Sequence, residues 1–312
     1  MVEIQNLVKM YGNKSAVDDV TFTVNKGEIV GFLGPNGAGK STTMNIITGY
    51  LSSTAGTVKV NGIDVLENPN EAKKMIGFLP EQPPLYVDMT VDEYLSFVYE
   101  IKGCKLDKKK HLTEIKTLTK IEDVKNRVIK NLSKGYRQRV GIAQALVGNP
   151  PVIIFDEPTV GLDPKQIIEI RNLIRNLGKT HTVILSTHIL SEVQAVCDRI
   201  VIINDGRIIA DEKTENITKT VQENRRYTFR ICGNERDVLH ALKNVSGVLS
   251  VNPTGERELD SYTYVVESER GVDIRKPVFF AMSEKGYAII GAETGGMNLE
   301  EVFIRITDRS GK

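Results

Sequence analysis

The sequence predicts an α/β fold built on a parallel sheet, followed by a smaller α+β domain. Short apolar runs such as VIIFD and TVILS alternate with helical segments, a pattern typical of a parallel sheet covered on both faces. A glycine-rich segment follows directly on the apolar run GEIVGFL and opens a helix. After residue 213, the order strand, helix, strand, strand, helix, strand is typical of a ferredoxin-like domain.

The composition is typical of a globular protein with about two domains. The chain has 312 residues, of which 40% are hydrophobic and 26% are charged. Its 41 Lys and Arg residues nearly balance 40 Asp and Glu residues, so no bulk positive charge is available for a phosphate backbone. We therefore expect no nucleic-acid partner.

The sequence shows neither an export signal nor a membrane span. No apolar run approaches the roughly 20 residues that cross a bilayer, and the N-terminal segment MVEIQNLVKMYG lacks the pattern of an export signal. Cys104, Cys197 and Cys232 are an odd number without metal-like spacing, which suits a reducing compartment. We expect a cytoplasmic protein.

The segment before residue 86 is predicted to consist mostly of strands. Two runs, EIQNLVKMY and TFTVN, come first, and GEIVGFL then runs into the helix within GPNGAGKSTTMNIITGYL. The run GTVKVNG is expected to be an edge strand with an Asn-Gly turn. In KMIGFLPEQPPLY, three prolines end a short strand.

The rest of the first domain is predicted to be a helical insertion, further strands and a hairpin. Residues 86–150 form the insertion, because TVDEYLSFVYEIKG places apolar side chains at helical spacing. The helix PKQIIEIRNLIRNLG separates the strands VIIFD and TVILS. The hairpin RIVIINDGRIIADE, which turns at Asp205 and Gly206, ends a domain that we place at residues 1–212.

Residues 213–312 are predicted to form an accessory or regulatory domain. Its elements are YTFRI, NERDVLHALKNV, VLSVN, SYTYVVE, DIRKPVFFAMSEKG and YAIIGAE. The last segment, NLEEVFIRIT, places four apolar side chains on one helical face, which we expect to pack against a neighbour: Leu299, Val302, Phe303 and Ile306.

The segment GPNGAGKS, residues 34–41, matches the P-loop pattern G-x-x-x-x-G-K-[ST]. Its glycines let backbone N–H groups curl around phosphate oxygens, and the following helix adds the positive end of its dipole. Lys40 is expected to reach the β- and γ-phosphates, and Ser41 to ligate Mg²⁺. The alternative is a glycine turn with a solvated lysine, but the strand ahead and the helix behind favour the phosphate site.

Acidic and imidazole groups follow two of the apolar strands. VIIFDE ends in Asp156 and Glu157, at the sheet edge where α/β proteins present ligands. Asp156 is expected to hold the metal, and Glu157 to polarise the attacking water. His188 follows TVILS and is a candidate contact of the γ-phosphate. The alternatives are a solvated acidic strand end and a structural histidine.

Gln82 and Tyr11 are further candidates. The Gln82 amide lies on a proline-rich turn and is expected to touch the metal or the attacking water, with a surface glutamine as the alternative. Tyr11 ends the first strand and is expected to stack on adenine, with a core aromatic as the alternative.

A second helix N-terminus is open to anions. Within NLSKGYRQRVGIAQALVGNP, Ser133 is the predicted N-cap, and Ser133 and the backbone of Lys134 and Gly135 are available to donate. The alternative is a capped surface helix without a ligand.

Together these motifs resemble the ATP-binding-cassette (ABC) ATPase family over about residues 1–212. The resemblance implies a P-loop NTPase of ABC type, with an antiparallel β subdomain and a helical subdomain, that uses ATP and Mg²⁺. It assigns catalysis to Glu157, His188, Gln82 and Lys40, and the metal to Ser41, Gln82 and Asp156. The nucleotide contacts that it implies are Tyr11, Gly34, Pro35, Asn36, Gly37, Ala38, Gly39, Lys40, Ser41, Thr42, Ser133 and Gly135.

The signature segment of this resemblance is LSKGY, residues 132–136, which departs from the usual LSGGQ at Lys134 and Tyr136. With EPTVGLDPKQIIEIR and LEEVFIRIT, it is similar to the branch of gliding-motility-associated and drug- or polysaccharide-export ATPases. The resemblance implies a dimer that sandwiches ATP between the P-loop of one chain and the signature of the other. It also implies separate transmembrane permease subunits, through which this chain is attached to the inner face of the cell membrane.

The leading hypothesis is therefore the ATP-hydrolysing subunit of an exporter. A soluble ABC ATPase acting on ribosomes or DNA usually has two cassettes or a very long coiled-coil insertion, and 312 residues hold neither. A regulatory binder would be expected to lose Lys40, Glu157 or His188, and all three are present. An importer stays an open alternative, because some importers also carry a ferredoxin-like tail.

Overall fold

A computed structural model describes residues 1–216, 225–258, 260–269 and 271–296 of the chain. The chain divides into two units, Met1–Thr214 and Glu215–Lys312. Within the described residues, no helix has the length and the apolar character that a membrane crossing requires.

The first unit contains ten strands and seven α-helices among its described residues. The strands are β1 (Val2–Tyr11), β2 (Lys14–Val24), β3 (Ile29–Leu33), β4 (Ala55–Val60), β5 (Ile63–Asp64), β6 (Ile76–Leu79), β7 (Val152–Asp156), β8 (Thr182–Thr187), β9 (Arg199–Asn204) and β10 (Arg207–Lys213). The helices are α1 (Lys40–Ile47), α2 (Pro69–Lys74), α3 (Val91–Ile101), α4 (Lys108–Thr119), α5 (Lys134–Leu146), α6 (Pro164–Gly178) and α7 (Leu190–Val196).

The central sheet has the strand order β10, β9, β3, β8, β7, β6. Its neighbours from β9 to β6 pair in parallel, and only β10 is antiparallel. Every residue of β3, β7 and β8 is buried, because helices or the second sheet cover both faces. The predicted α/β fold with a parallel sheet is confirmed, and the carboxyl ends of β3, β7 and β8 lie at one edge.

The second sheet is antiparallel, with the order β2, β1, β4, β5. It shares one hydrophobic core with the central sheet, and Phe22 of β2 stacks on Phe32 of β3 with ring centroids 5.3 Å apart. The prediction that β4 is an edge strand is wrong. Asn61 and Gly62 both adopt positive φ, 48° and 81°, in a tight turn that folds the two-residue β5 back onto β4 and makes β5 the edge.

Helices α3, α4 and α5 lie between β6 and β7, where the sequence predicts the helical insertion. Thr90 caps α3 in a reciprocal arrangement with Glu93, and Asp107 caps α4. Helices α2 and α7 have six and seven residues, too few for an apolar period to predict them.

The second unit contains β11 (Arg225–Cys232), α8 (Glu235–Lys243), β12 (Val248–Glu258), β13 (Ser261–Ser268), α9 (Arg275–Glu284) and β14 (Ile289–Gly296). The sheet order β12, β13, β11, β14 is antiparallel throughout, which is the predicted ferredoxin-like arrangement. Tyr227, Phe229 and Tyr264 are among the buried residues of its own core. The predicted amphipathic segment with Leu299, Val302, Phe303 and Ile306 lies outside the described residues.

Candidate nucleotide-binding site

The glycine-rich loop between β3 and α1 folds as tightly as the phosphate motif requires. Gly37 and Gly39 have φ of +82° and +104°, a region that L-residues rarely adopt. A Cβ atom on Gly39 would lie 2.5 Å from the carbonyl oxygen of Ala16. Because side chains are absent at these positions, the backbone N–H groups of the loop stay accessible to a ligand.

Lys40, the first residue of α1, folds back over this loop. Its ammonium donates hydrogen bonds to the carbonyl oxygens of Gly34, at 2.8 Å, and of Pro35, at 3.2 Å. The same Nζ atom lies 3.6 Å from Oε1 of Glu157, and both side chains are buried. The positive charge is therefore held at the centre of the loop, opposite the acidic end of β7.

The ends of β7 and β8 bring three predicted residues together. In the parallel pair, Asp156 lies opposite Ser186, whose hydroxyl donates to Asp156 Oδ1 at 2.7 Å. The Glu157 N–H donates to the Ser186 carbonyl at 2.8 Å, and Glu157 has a positive φ of 49° that turns the chain out of the strand. His188 Nδ1 lies 2.9 Å from Glu157 Oε1, so the imidazole and the carboxylate form a hydrogen-bonded pair.

Lys40, Glu157 and His188 line a cavity of about 420 Å³, whereas the predicted residues Gly34, Pro35, Ala38 and Asp156 are not among its lining residues. Its lining residues are Ala16, Asn36, Gly37, Gly39, Lys40, Ser41, Thr42, Glu81, Glu157, Val160 and His188. Sequence reasoning missed three of these, Ala16, Glu81 and Val160. Glu81 had a usable signal, since it precedes Gln82 on the same proline-rich turn. Ala16 and Val160 offer only backbone and apolar contact, which no sequence pattern marks.

Gln82 and Tyr11 do not line this cavity. Gln82 is exposed and lines a second cavity of about 570 Å³, together with Tyr50 and Phe78. The reason is the alternation of side chains after β6: Pro80, Gln82 and Pro84 line the second cavity, whereas Glu81 between them lines the first. The Tyr11 ring is 50% exposed and has the Lys9 ammonium 5.4 Å from its centroid.

Ser133 and Gly135 lie at the N-terminus of α5, also away from the cavity. Ser133 is exposed and caps the helix by accepting a hydrogen bond from the Tyr136 N–H at 3.4 Å. Gly135 is buried, and a Cβ atom there would lie 2.6 Å from the Gln166 side chain. The segment therefore packs on the start of α6 and turns its capped end outward. The hydrogen bond to Asp123 raises the pKa of Tyr136.

Comparison with known proteins identifies the family of this chain. The family described as "ABC transporter" matches residues 17–160. The ABC transporter ATP-binding protein YxlF of Bacillus subtilis (strain 168), itself uncharacterized, is 34% identical over 309 residues, which cover 98% of this chain and 99% of that protein. The chain belongs to the ABC transporter ATPase family. It is an ATP-binding protein and an ATPase.

Other relatives of this ABC ATPase have more specific descriptions. The bacitracin transport ATP-binding protein BcrA of Bacillus licheniformis is 35% identical over 229 residues, which cover 73% of each chain. A dimeric structure of the ATP-binding cassette MJ0796, in a post-hydrolysis state bound to ADP and Pi, is 31% identical with a TM-score of 0.63. That match covers 69% of this chain and 99% of the cassette.

This ABC ATPase has oxygen ligands of the kind that bind Mg²⁺ together with the phosphates of a nucleotide. Ser41 lines the cavity, and one Asp156 oxygen stays without a hydrogen-bond donor among the described residues. The described part of the chain contains no group of three His, Cys, Asp or Glu residues that could hold a metal. This donor set fits Mg²⁺, which protein sites usually hold through one or two carboxylates plus substrate phosphates.

Proposed function

We propose that this ABC ATPase energises an exporter, with two copies of the cassette enclosing ATP and driving separate membrane-spanning subunits. The observation that carries the proposal is the convergence of the P-loop, Lys40, Glu157 and His188 on one cavity. The relative described as a bacitracin transport ATP-binding protein supports a role in transport, and the outward direction rests on the resemblance to export ATPases. In this proposal the chain is attached through its permease to the inner face of the membrane.

Each group at the cavity has one role in hydrolysis. The loop N–H groups and Lys40 bind the phosphates, and the ammonium exchanges its carbonyl partners for phosphate oxygens. Glu157 accepts a proton from the attacking water as the general base. His188, paired with Glu157 at 2.9 Å, contacts the γ-phosphate. Bound Mg²⁺, held by Ser41 and Asp156, would neutralise phosphate charge.

The signature segment is proposed to act on the nucleotide of a second copy. Ser133 is exposed and does not line the cavity of its own chain, although it caps a helix of 13 residues whose N-terminus favours anions. A second copy placed P-loop to signature would bring the phosphates of its own ATP to this helix N-terminus. The dimeric structure of the MJ0796 cassette supports this arrangement.

The turn after β6 is proposed to connect the ATP cavity with the permease. Glu81 lines the ATP cavity, whereas the next residue, Gln82, lines the second cavity. A permease segment seated in the second cavity, beside the 78% exposed ring of Tyr50, would therefore press on a turn that reaches the nucleotide. Gln82 itself is proposed to reach the metal when this turn moves.

The test of the proposed function is the Glu157→Gln variant. It should bind ATP but hydrolyse it about 10²- to 10⁴-fold more slowly, because an amide cannot accept the proton of water. Phosphate release measures turnover, and size-exclusion chromatography should show an ATP-dependent dimer. The control is Glu67→Gln, which removes an exposed carboxylate that lines neither cavity and should keep turnover within about threefold. Unchanged turnover in Glu157→Gln would refute the assignment of the base.

A further inference from the structure

A buried carboxylate next to the ATP cavity has no part in the roles given above. Glu192 lies in α7, four residues after His188, and is 1% exposed. One of its oxygens accepts a hydrogen bond from the Thr159 hydroxyl, and the other lies 3.1 Å from the Thr187 hydroxyl. Among the described residues, no lysine, arginine or histidine forms an ion pair with it. An ionisable group buried without a cation is costly for the fold.

The two hydroxyl groups belong to the segments that carry the catalytic pair. Thr159 lies two residues after Glu157 on the turn that follows β7. Thr187 ends β8, directly before His188. Glu192 therefore joins the end of β7 to the end of β8 by side-chain hydrogen bonds, beyond the last backbone pair of the two strands, Asp156 with Ser186.

The Thr187 hydroxyl is also in contact with the base itself. Its oxygen lies 3.2 Å from Glu157 Oε2, 3.1 Å from Glu192 Oε2, and accepts a hydrogen bond from the Ile189 N–H at 3.2 Å. A hydroxyl has one proton and two lone pairs, so it can donate to only one of the two carboxyl groups at a time. The positions of Glu192 and Glu157 are therefore coupled through one shared donor.

We propose that Glu192 is a positioning residue, which holds the base Glu157 in place beside His188; we call this arrangement the Glu192 clamp. It acts through the hydroxyl groups of Thr159 and Thr187 and touches neither substrate nor metal. This inference rests on the proposed role of Glu157 as the general base. Small displacements of a reacting group lower turnover strongly, while the P-loop that binds the phosphates stays unchanged.

The experiment compares turnover and ATP affinity in the full-length chain. Glu192→Met keeps an unbranched side chain but removes both hydrogen-bond acceptors, and is expected to lower kcat about 10- to 100-fold. ATP affinity, measured without Mg²⁺ so that no turnover occurs, should change less than about threefold. In Glu192→Gln the amide oxygen can accept from Thr159 and the amide nitrogen can donate to Thr187, so kcat should stay within about threefold of wild type.

A second pair of variants reports on the shared hydroxyl. Thr187→Val should lower kcat, Thr187→Ser should keep it, and the Glu192→Met/Thr187→Val double variant should be far less impaired than the product of the single effects. The matched control is Thr182→Val, at the other end of β8, which loses a partly buried hydrogen bond from the Gly27 N–H but lies about 17 Å from Thr187. Its kcat should be that of wild type.

Three results would overturn the inference: Glu192→Met with kcat within twofold of wild type, Glu192→Gln as slow as Glu192→Met, or multiplicative effects in the double variant. If Glu192→Met fails to fold, equal rates of Thr187→Val and Thr187→Ser overturn it instead. The Glu157→Gln variant separates this inference from the proposed function. Full turnover in Glu157→Gln removes the base assignment, whereas an inactive Glu157→Gln beside unaffected Glu192 and Thr187 variants removes only the clamp.

Discussion

Replacing Gly39 by alanine tests the geometry of the phosphate loop. The φ of +104° alone costs an L-residue about 1–2 kcal/mol. The new Cβ would also lie 2.5 Å from the Ala16 carbonyl oxygen, a backbone atom that cannot rotate away, and such overpacking adds about 1–3 kcal/mol. We therefore expect Gly39→Ala to destabilise the first unit by about 2–5 kcal/mol.

Gly37 in the same loop provides the matched control. Its φ of +82° carries a similar conformational cost, but a Cβ atom there meets nothing within 4 Å. Gly37→Ala should therefore cost only about 1–2 kcal/mol. Thermal unfolding without nucleotide should show Gly39→Ala melting about 4–8 °C below Gly37→Ala, for a difference of about 2 kcal/mol. Equal melting temperatures would refute the close approach of the loop to β2.

Three further predictions concern the dimer, the second unit and acid stability. Mixing Ser133→Arg chains with Lys40→Ala chains should restore part of the ATPase activity, because one composite site keeps both groups; heterodimers as inactive as each variant alone would contradict action across a dimer. A chain ending at Thr214 should bind ATP within about threefold of the full chain in a nucleotide titration, since all predicted phosphate contacts precede it. Burial raises the pKa of Glu28, but hydrogen bonds from Arg199 and Asn25 outweigh that effect and lower it overall. The stability of the fold should therefore fall as the pH drops below about 4.3, the ordinary pKa of glutamate. Acid unfolding of Glu28→Gln should be less steep, and an identical pH profile would exclude this contribution.

The sequence predicts those parts of the site whose functional groups come from one short, continuous segment. The P-loop needs glycines and Lys40 at fixed spacing, and Asp156 with Glu157 ends an apolar strand. The α/β fold and the ferredoxin-like order follow from the alternation of strands and helices. These are local patterns, so one sequence is enough to find them.

The remaining features depend on which strands become neighbours. The Glu192 clamp depends on the pairing of β7 with β8. No local sequence pattern around Glu192 predicts its contact with Thr159. Gln82 lines a different cavity from Glu81 because neighbouring residues of the segment after β6 lie on opposite sides of it. The roles of Gln82, Tyr11, Ser133 and Gly135 stay predictions.

The sheet order also constrains when the nucleotide site appears during synthesis. Among the described residues, the strand that carries the P-loop, β3, pairs only with β8 and β9: Ile29 with Val183, and Val30 with Arg199. When the P-loop of a nascent chain has left the ribosome, β8 and β9, the two neighbours of β3, have therefore not yet been synthesised. The antiparallel sheet of β1, β2 and β4 can form early from nearby segments, while the nucleotide site must wait for distant ones. ATP binding therefore cannot help the first half of the chain to fold. It can stabilise the first unit only when that unit is nearly complete.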